Sequence, residues 1–266
     1  MLVRHIITAV LTVAPVIGVL LWLYTADANR EPWRKILKTF FLGAAAAILA
    51  LIFFLPMLGL TTVAGTPTTF FFLLSFLGAA IPEESAKLLV IRGYCARLPS
   101  FDEPMDGLVY GATAALGFAL FENIVYVAQG TMFTAIIRGL TAVPGHAILG
   151  AMIGYSISSA MFEPESRSRT WKGLVAAILC HGSYNMFLMQ ASYLGNTSAN
   201  SILVNLFYAL AFAIVIGEII WFRRTVRRLR SAQLLADAAG RSTEFSSQPS
   251  YLERLREQTE ADADPE

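Results

Sequence analysis

Two adjacent glutamates and a lysine interrupt an otherwise apolar segment, IPEESAKLLV, at residues 81–90. Lys87 follows Glu83 by four residues and Glu84 by three, so either carboxylate can meet the ammonium group on one face of a helix. Ionisable groups in such apolar segments are costly and are functional candidates. An ion pair with Lys87 would neutralise one carboxylate and leave the other free to act as an acid or a base.

Three further apolar segments also carry polar side chains. Glu122 and Asn123 lie in GFALFENIVYV, and His146 lies in VPGHAILGAMIGY. In LCHGSYNMF, His181 precedes Asn185 by four residues, so both lie on one helix face. We expect Asn185 to orient His181 or a bound group, and Asn123 to support the site by hydrogen bonding. Glu122 is either a third catalytic carboxylate or a support for a histidine.

Carboxylates and imidazoles in a cavity that excludes bulk water suit two kinds of hydrolysis. In the first, His146 and His181 bind zinc with a carboxylate, for which Glu83 is the candidate, and a second glutamate takes a proton from water. In the second, a glutamate acts as general base without a metal, and the imidazoles and Asn185 stabilise the oxyanion. Both schemes cleave an amide without a serine or cysteine nucleophile, and the sequence contains no GxSxG or HExxH motif.

The elements that must position these residues are long apolar helices. Hydrophobic residues make up 56% of the chain and charged residues 15%, whereas soluble domains average about 45–50% and about 25%. No Asp, Glu, Lys or Arg occurs from Thr39 to Pro82 or from Gly173 to Gly217, and a membrane-spanning helix needs only about 20 residues. The sequence therefore predicts an all-α polytopic bundle of about seven spans, at residues 5–25, 37–58, 69–92, 107–128, 139–161, 172–191 and 200–222.

The distribution of basic residues predicts how the bundle lies in the membrane. Most Lys and Arg residues, including the run from Arg223 to Arg230, fall in alternate loops and in the C-terminal segment, which would share one side. The positive-inside rule then places the N-terminus outside and the C-terminus in the cytoplasm. We predict a transmembrane domain over residues 1–230, with its motifs between 82 and 190, and a poorly ordered cytoplasmic tail over 231–266. The net charge of +1 argues against a nucleic-acid partner.

Pro82 bears on the depth of the polar residues in the membrane. With the third span starting at Thr69, Glu83 lies in the inner half of the membrane, whereas Glu122 and His146 lie in the outer half. A proline inside a helix kinks or interrupts it. We therefore predict that the first part of the third span is re-entrant, which would raise Glu83 towards the other polar residues.

Four segments resemble, in order, the motifs of the PrsW family of intramembrane proteases, which is related to the CAAX prenyl proteases and to bacteriocin-processing enzymes. They are PEESAKLLV, DGLVYGATAALGFALFENIVY, PGHAILGAMIGY and LCHGSYN, and they span residues 82–190. The resemblance implies an endopeptidase of the bacterial inner membrane. It also implies membrane-anchored protein substrates, which in this family include anti-sigma factors.

The resemblance also implies roles for individual residues. The motif positions carry the implied catalytic residues, which are Glu83, Glu84, Glu122, His146 and His181. Lys87 is the implied basic partner of the paired glutamates. The CAAX proteases have a histidine four residues after the phenylalanine of their second motif, where this sequence has Glu122 after Phe118. The sequence leaves open whether the reaction uses zinc, with His146, His181 and Glu83 as ligands, or an activated glutamate alone.

A second function is compatible with the same side chains. Chains of Glu and His also carry protons through pumps and transporters, so a membrane transporter or proton relay is the alternative to a peptidase. Many transporters are built from internal repeats, and the sequence shows no clear repeat. A bundle that only binds other membrane segments is a third interpretation. We therefore expect a peptidase that lies in the lipid bilayer and acts on a membrane-anchored protein.

Overall fold

The computed structural model describes residues 2–57, 59, 64–162, 171–197 and 200–240, and within these ranges the chain contains no β-strand. The α-helices of this part of the chain are α1 (Leu2–Ala26), α2 (Trp33–Met57), α3 (Pro67–Leu73), α4 (Ile81–Gly93), α5 (Pro104–Gln129), α6 (Met132–Leu140), α7 (Ala142–Phe162), α8 (Lys172–Thr197) and α9 (Ser201–Ala238). A π-helical segment, Leu74–Ala80, joins α3 to α4, and a short 3-10 turn, Cys95–Arg97, follows α4.

Helices of membrane-spanning length make up most of the bundle. Six stretches of the described chain are long and apolar enough to cross a membrane, namely Ile6–Ala26, Trp33–Pro56, Pro104–Gln129, Met132–Phe162, Lys172–Thr197 and Ser201–Ala238. A seventh helical rod consists of α3, the π-helical segment and α4, and it corresponds to the predicted span 69–92. The prediction of an all-α polytopic bundle is therefore confirmed. The orientation with the N-terminus outside stays a prediction.

The third rod differs from its predicted shape, because its first part is not re-entrant. Helix α3, the π-helical segment and α4 follow one another directly, and the junction residues Leu74 and Ile81 keep right-handed helical torsions. Ile81 donates its N–H to the carbonyl of Phe76, five residues earlier. Pro82 has no N–H to donate, and its ring would clash with a carbonyl in a regular α-helical turn. The wider π turn that precedes Pro82 leaves room for the ring, so the helix continues.

Helix α5 forms the centre of the bundle and packs most extensively against α7. Gly107 and Gly111 of α5 face Gly150 and Gly154 of α7, and a Cβ atom at any of these positions would overlap the opposite helix. Small residues four apart allow the backbones of membrane helices to approach this closely. The close approach matters for the site, because α5 carries Glu122 and α7 carries His146.

Helix α2 approaches α5 in the same way. A Cβ atom on Gly43 would overlap the carbonyl of Ala114, and one on Gly117 would overlap the carbonyl of Phe40. Helix α2 also packs against α4, whose first turn carries Glu83 and Glu84. The glycine contacts of α5 therefore fix α2 and α7 on one central helix, around which α4 is placed.

Helix α9 extends further than the sequence predicts. It continues to Ala238, so the predicted start of the tail at residue 231 falls inside a helix. Gln233 is buried, and its side-chain amide donates to Asp27 at 2.6 Å and to Glu103. These contacts join the end of α9 to the loop between α1 and α2 and to the start of α5. Residues 241–266 of the predicted tail lie outside the described residues.

Candidate active site

An ion pair between Glu84 and Lys87 lies at the centre of the site. Lys87 Nζ is 2.6 Å from Glu84 Oε1, and both side chains are 0% exposed. The three-residue spacing is therefore the one that forms the pair. Glu83, one residue earlier in the first turn of α4, is partly exposed and lines a cavity. One carboxylate is thus held by the lysine, and its neighbour faces open space.

Hydrogen bonds extend from this ion pair in both directions. On one side, His181 Nδ1 donates to Glu84 Oε1 at 2.7 Å. On the other side, Lys87 Nζ donates to His146 Nδ1 at 2.9 Å, because an ammonium group has donors only. His146 therefore carries its proton on Nε2, from which it donates to Glu122 Oε2 at 2.7 Å. The result is a continuous chain of five side chains from α4, α5, α7 and α8.

Arg138 of α6 closes the chain at Glu122. Arg138 Nη2 lies 3.1 Å from Glu122 Oε2, and Arg138 Nε donates to Asn123 Oδ1 at 2.7 Å. The guanidinium group also lies over the ring of Tyr126, with 3.9 Å between Cζ and the ring centroid. Asn123 thus supports the site indirectly, by positioning the cation that pairs with Glu122.

Aromatic contacts enclose the buried part of the chain. Lys87 Nζ lies 4.7 Å from the centroid of the Phe118 ring, and a cation over a ring face is attracted electrostatically. The same ring lies 5.7 Å from the imidazole of His146. The imidazoles of His146 and His181 meet edge to face, with centroids 5.4 Å apart. These contacts keep water away from the ion pair.

A gap between His181 and Glu83 is the point at which the site is open. His181 Nε2 lies 3.9 Å from Glu83 Oε2, which is too far for a hydrogen bond. Among the described residues, Glu83 Oε2 and Glu84 Oε2 are buried and receive no hydrogen bond. Glu83, Glu84, His146 and His181 each offer one ligand atom, and these atoms lie within 4.8 Å of one another. The donor set fits a metal ion.

The gap lies at the wall of a cavity of about 740 Å³. Both carboxylates and apolar side chains line this cavity. Asn185 is on this wall, as the spacing from His181 predicts. Glu218 of α9 is a further wall residue, and it is 5% exposed. We did not predict a role for Glu218 or Arg138 from the sequence. The position of Glu218 inside the last predicted span is the signal that could have identified it.

The structure brings together all the side chains that the sequence nominates as catalytic. His146 differs from the prediction that it is a metal ligand. Both of its ring nitrogens already have partners, namely Lys87 and Glu122. His181 keeps one nitrogen, Nε2, towards the gap. A helical membrane bundle with a buried Glu/His site, an open donor set and, among the described residues, no serine or cysteine paired with either histidine belongs to the class of intramembrane hydrolases.

The chain belongs to the PrsW family of intramembrane metalloproteases, because the sequence profile of this family matches residues 31–217. It is 34% identical to Protease PrsW of Bacillus subtilis over 68% of this chain and 82% of that protein. It is 31% identical to Protease PrsW of Geobacillus kaustophilus over 66% of this chain and 77% of that protein. For Protease PrsW of Clostridioides difficile the identity is 27%. No solved structure matches the chain.

These comparisons confirm the predicted family and the prediction that the chain is an intramembrane peptidase. They give no support to the alternative of a transporter or proton relay. The apolar helices identify a multi-pass membrane protein, and the family identifies an enzyme that acts on protein. Glu218 lies one residue beyond the matched range, so its place on the cavity wall comes from this chain's own structure.

Proposed function

We propose that the chain hydrolyses a peptide bond of a membrane-anchored protein by activating water between Glu83 and His181. The observation that carries this proposal is the 3.9 Å separation of Glu83 Oε2 and His181 Nε2 at the cavity wall. Both atoms have lone pairs. Among the described residues the cavity lining contains one serine, Ser75, whose buried hydroxyl donates to Met189, and no cysteine. A water molecule in this position would lie within reach of a general base.

The hydrogen-bonded chain supports a division of roles between the two adjacent glutamates. Glu84 is held by Lys87 and by His181 Nδ1, so it acts as a fixed acceptor that orients the imidazole. Glu83 has no such partners, and we assign it the proton transfer from water to the leaving amine. His146 and Glu122 position Lys87 from the other side. Asn185 on the cavity wall is placed to stabilise the oxyanion.

We further propose that the site holds a zinc ion. Imidazole and carboxylate ligands suit zinc, and a zinc-binding histidine commonly donates its other N–H to a carboxylate, as His181 does to Glu84. His181 and the free Oε2 atom of Glu84 would hold the ion beside Glu83, which stays free to take the proton from a water ligand. His146 could join them only by giving up the hydrogen bond from Lys87. When bound, zinc would polarise the scissile carbonyl and lower the pKa of a water ligand to about 7.

The cavity also bears on the substrate. It lies inside the helical bundle, and apolar side chains such as Phe54, Val125 and Leu188 line it beside the carboxylates. Such a lining suits an unwound part of an apolar segment better than a charged peptide from solution. We therefore propose a single-span protein of the bacterial inner membrane as the substrate, and an anti-sigma-type regulator as the kind of protein to test first.

The metal content of purified protein tests the assignment of ligands. We expect about one zinc per chain in the wild type and in His146→Gln, and loss of zinc in His181→Gln. His5→Gln is the matched control, because His5 lies outside the four motifs. Equal zinc content in His181→Gln and the wild type would refute the assignment. Cleavage by a wild type that contains no metal would favour the glutamate scheme without zinc.

The position of the scissile bond tests the proposed substrate class. Wild-type enzyme and a labelled single-span protein would be reconstituted in the same lipid vesicles, and the products identified by mass spectrometry. We expect cleavage within the span or at its edge. Cleavage confined to the extramembrane part, at the same rate as for a soluble peptide of that sequence, would contradict the proposal.

A further inference from the structure

A second group of carboxylates lies buried at the end of the bundle where α1, α5 and α9 meet. Asp27 is in the loop after α1, Glu31 precedes α2, and Asp106 is in the first turn of α5. Their side chains are 2%, 4% and 1% exposed. Each offers one oxygen, and these oxygens lie within 4.8 Å of one another. The sequence gives no sign of this group, because Asp106 lies about 75 residues from the α1–α2 loop that carries Asp27 and Glu31.

The hydrogen bonds of this group leave two oxygens without a donor. Asp27 Oδ1 accepts from the backbone N–H of Asn29 at 3.0 Å and from Gln233 at 2.6 Å. Asp106 Oδ2 accepts from the backbone N–H groups of residues 102 and 103, both at 2.7 Å. Asp27 Oδ2 and Asp106 Oδ1 are buried, and neither accepts from an N–H or hydroxyl donor of the described residues. The carboxyl groups of Glu31 and Asp106 face each other at hydrogen-bonding distance, a contact that forms only when one of them is protonated. A buried acceptor without a donor is costly unless a ligand satisfies it.

The charges of the group are also uncompensated. Glu103, 8% exposed, adds a fourth carboxylate beside Gln233. No Lys, Arg or His side chain of the described residues forms an ion pair with these four groups, and the nearby Arg30 is exposed to solvent. Burial raises the pKa of Asp27 and Glu31, and it raises the pKa of Glu103 to about 7. Negative charges buried in this way are stable when they coordinate a cation.

We propose that Asp27, Glu31 and Asp106 bind a divalent cation with a preference for oxygen ligands, Mg²⁺ or Ca²⁺. The described ligands are carboxylate oxygens, which suit these cations better than zinc. Tyr110 donates to Glu31 Oε2 at 2.6 Å and fixes that ligand. The cation site is distinct from the reactive gap, because Asp106 and Glu122 are separated by sixteen residues of α5, about 24 Å at 1.5 Å per residue.

A cation in this position would join three parts of the chain. It would hold the α1–α2 loop against the start of α5, and Gln233 would connect the end of α9 to the same ligands. Helix α5 carries Glu122, and α9 carries Glu218 on the cavity wall. The cation would therefore stabilise the arrangement of the helices that border the active site, without taking part in the reaction.

Thermal unfolding of the full-length protein in detergent, after removal of metals with EDTA, tests this proposal. Mg²⁺ alone and Ca²⁺ alone would be added from about 10 µM to about 10 mM, a range that covers protein sites of this kind. We expect one of the two cations to raise the Tm with a saturating dependence. We expect Asp27→Asn and Asp106→Asn, which keep their hydrogen-bond acceptors, to raise the midpoint at least about tenfold.

Two controls separate this site from others. Asp237→Asn removes an exposed carboxylate of α9 and should leave the midpoint unchanged. His181→Gln alters the reactive gap and should also leave it unchanged. If an Asn variant does not fold, equilibrium dialysis of the wild type with radioactive Ca²⁺, competed with Mg²⁺, should still give one bound ion per chain. Absence of any stabilisation or binding in the wild type, or an unchanged midpoint in folded Asn variants, would overturn the proposal.

Discussion

Replacement of Lys87 by methionine tests whether the ion pair at the centre of the site is an energetic unit. Lys87 is fully buried, and its ammonium group contacts Glu84 at 2.6 Å and His146 at 2.9 Å. Methionine keeps the length of the side chain and removes the charge. Glu84 would then be left as a buried carboxylate without its cation.

The expected cost follows from these contacts. Removal of one partner of a buried ion pair costs about 3–5 kcal/mol. Since Glu84 keeps the hydrogen bond from His181, we expect the lower end, about 3 kcal/mol. For a protein of this size, each kcal/mol corresponds to about 2–4 °C, so the Tm should fall by about 6–12 °C.

Thermal unfolding in detergent would be measured for the wild type, Lys87→Met, Glu84→Gln and the double variant. We expect the double variant to be more stable than the sum of the single changes implies, because it contains no unpaired charge. Lys172→Met, at an exposed lysine, is the matched control and should change the Tm little. An unchanged Tm in Lys87→Met, or strictly additive effects in the double variant, would refute the reasoning.

Three other substitutions test the packing and the cavity. Gly154→Ala would place a methyl group against the facing backbone of α5 and should cost about 1–3 kcal/mol in thermal unfolding, whereas Gly217→Ala meets no atom and should be neutral. Arg138→Met removes the cation beside Glu122 and should lower the cleavage rate about 10–100-fold, and a wild-type rate would show that the contact is dispensable. Glu218→Gln should reduce cleavage of a substrate with lysine near the scissile bond about tenfold more than one with methionine there. Equal effects on both substrates would exclude a charge contact at this wall position.

The sequence predicts the helical spans and the ionisable residues within them, because charged groups are excluded from lipid. Because unpaired charges are rare in apolar helices, Glu83, Glu84 and Lys87 stand out in their segment, and the spacing of Glu84 and Lys87 correctly predicts that they can pair. The histidines are identified for the same reason, and the structure brings both close to the glutamates. The long charge-free stretches likewise predict the helical spans.

Other parts depend on contacts between distant segments. The π-helical turn before Pro82 has no clear local signature, so a re-entrant segment was the natural expectation from the proline alone. Arg138 lies in the loop predicted between the fourth and fifth spans, where the structure has the short helix α6. Only the packing of α6 against α5 brings it to Glu122. The sequence predicts that Gln233 belongs to a solvated tail. Its burial depends on contacts with Asp27 and with the start of α5. Such pairings are not visible in the spacing of residues along the chain.

The most direct measurement is the cleavage rate of Glu83→Gln beside that of the wild type, in the same vesicles and with the same single-span substrate. Glutamine keeps the shape of the side chain but cannot take a proton from water, so we expect at least about a 100-fold loss of rate. The Tm should stay close to that of the wild type, because Glu83 Oε2 has no hydrogen-bond partner to lose. A folded Glu83→Gln protein that cleaves at the wild-type rate would contradict the assignment of water activation to the gap between Glu83 and His181.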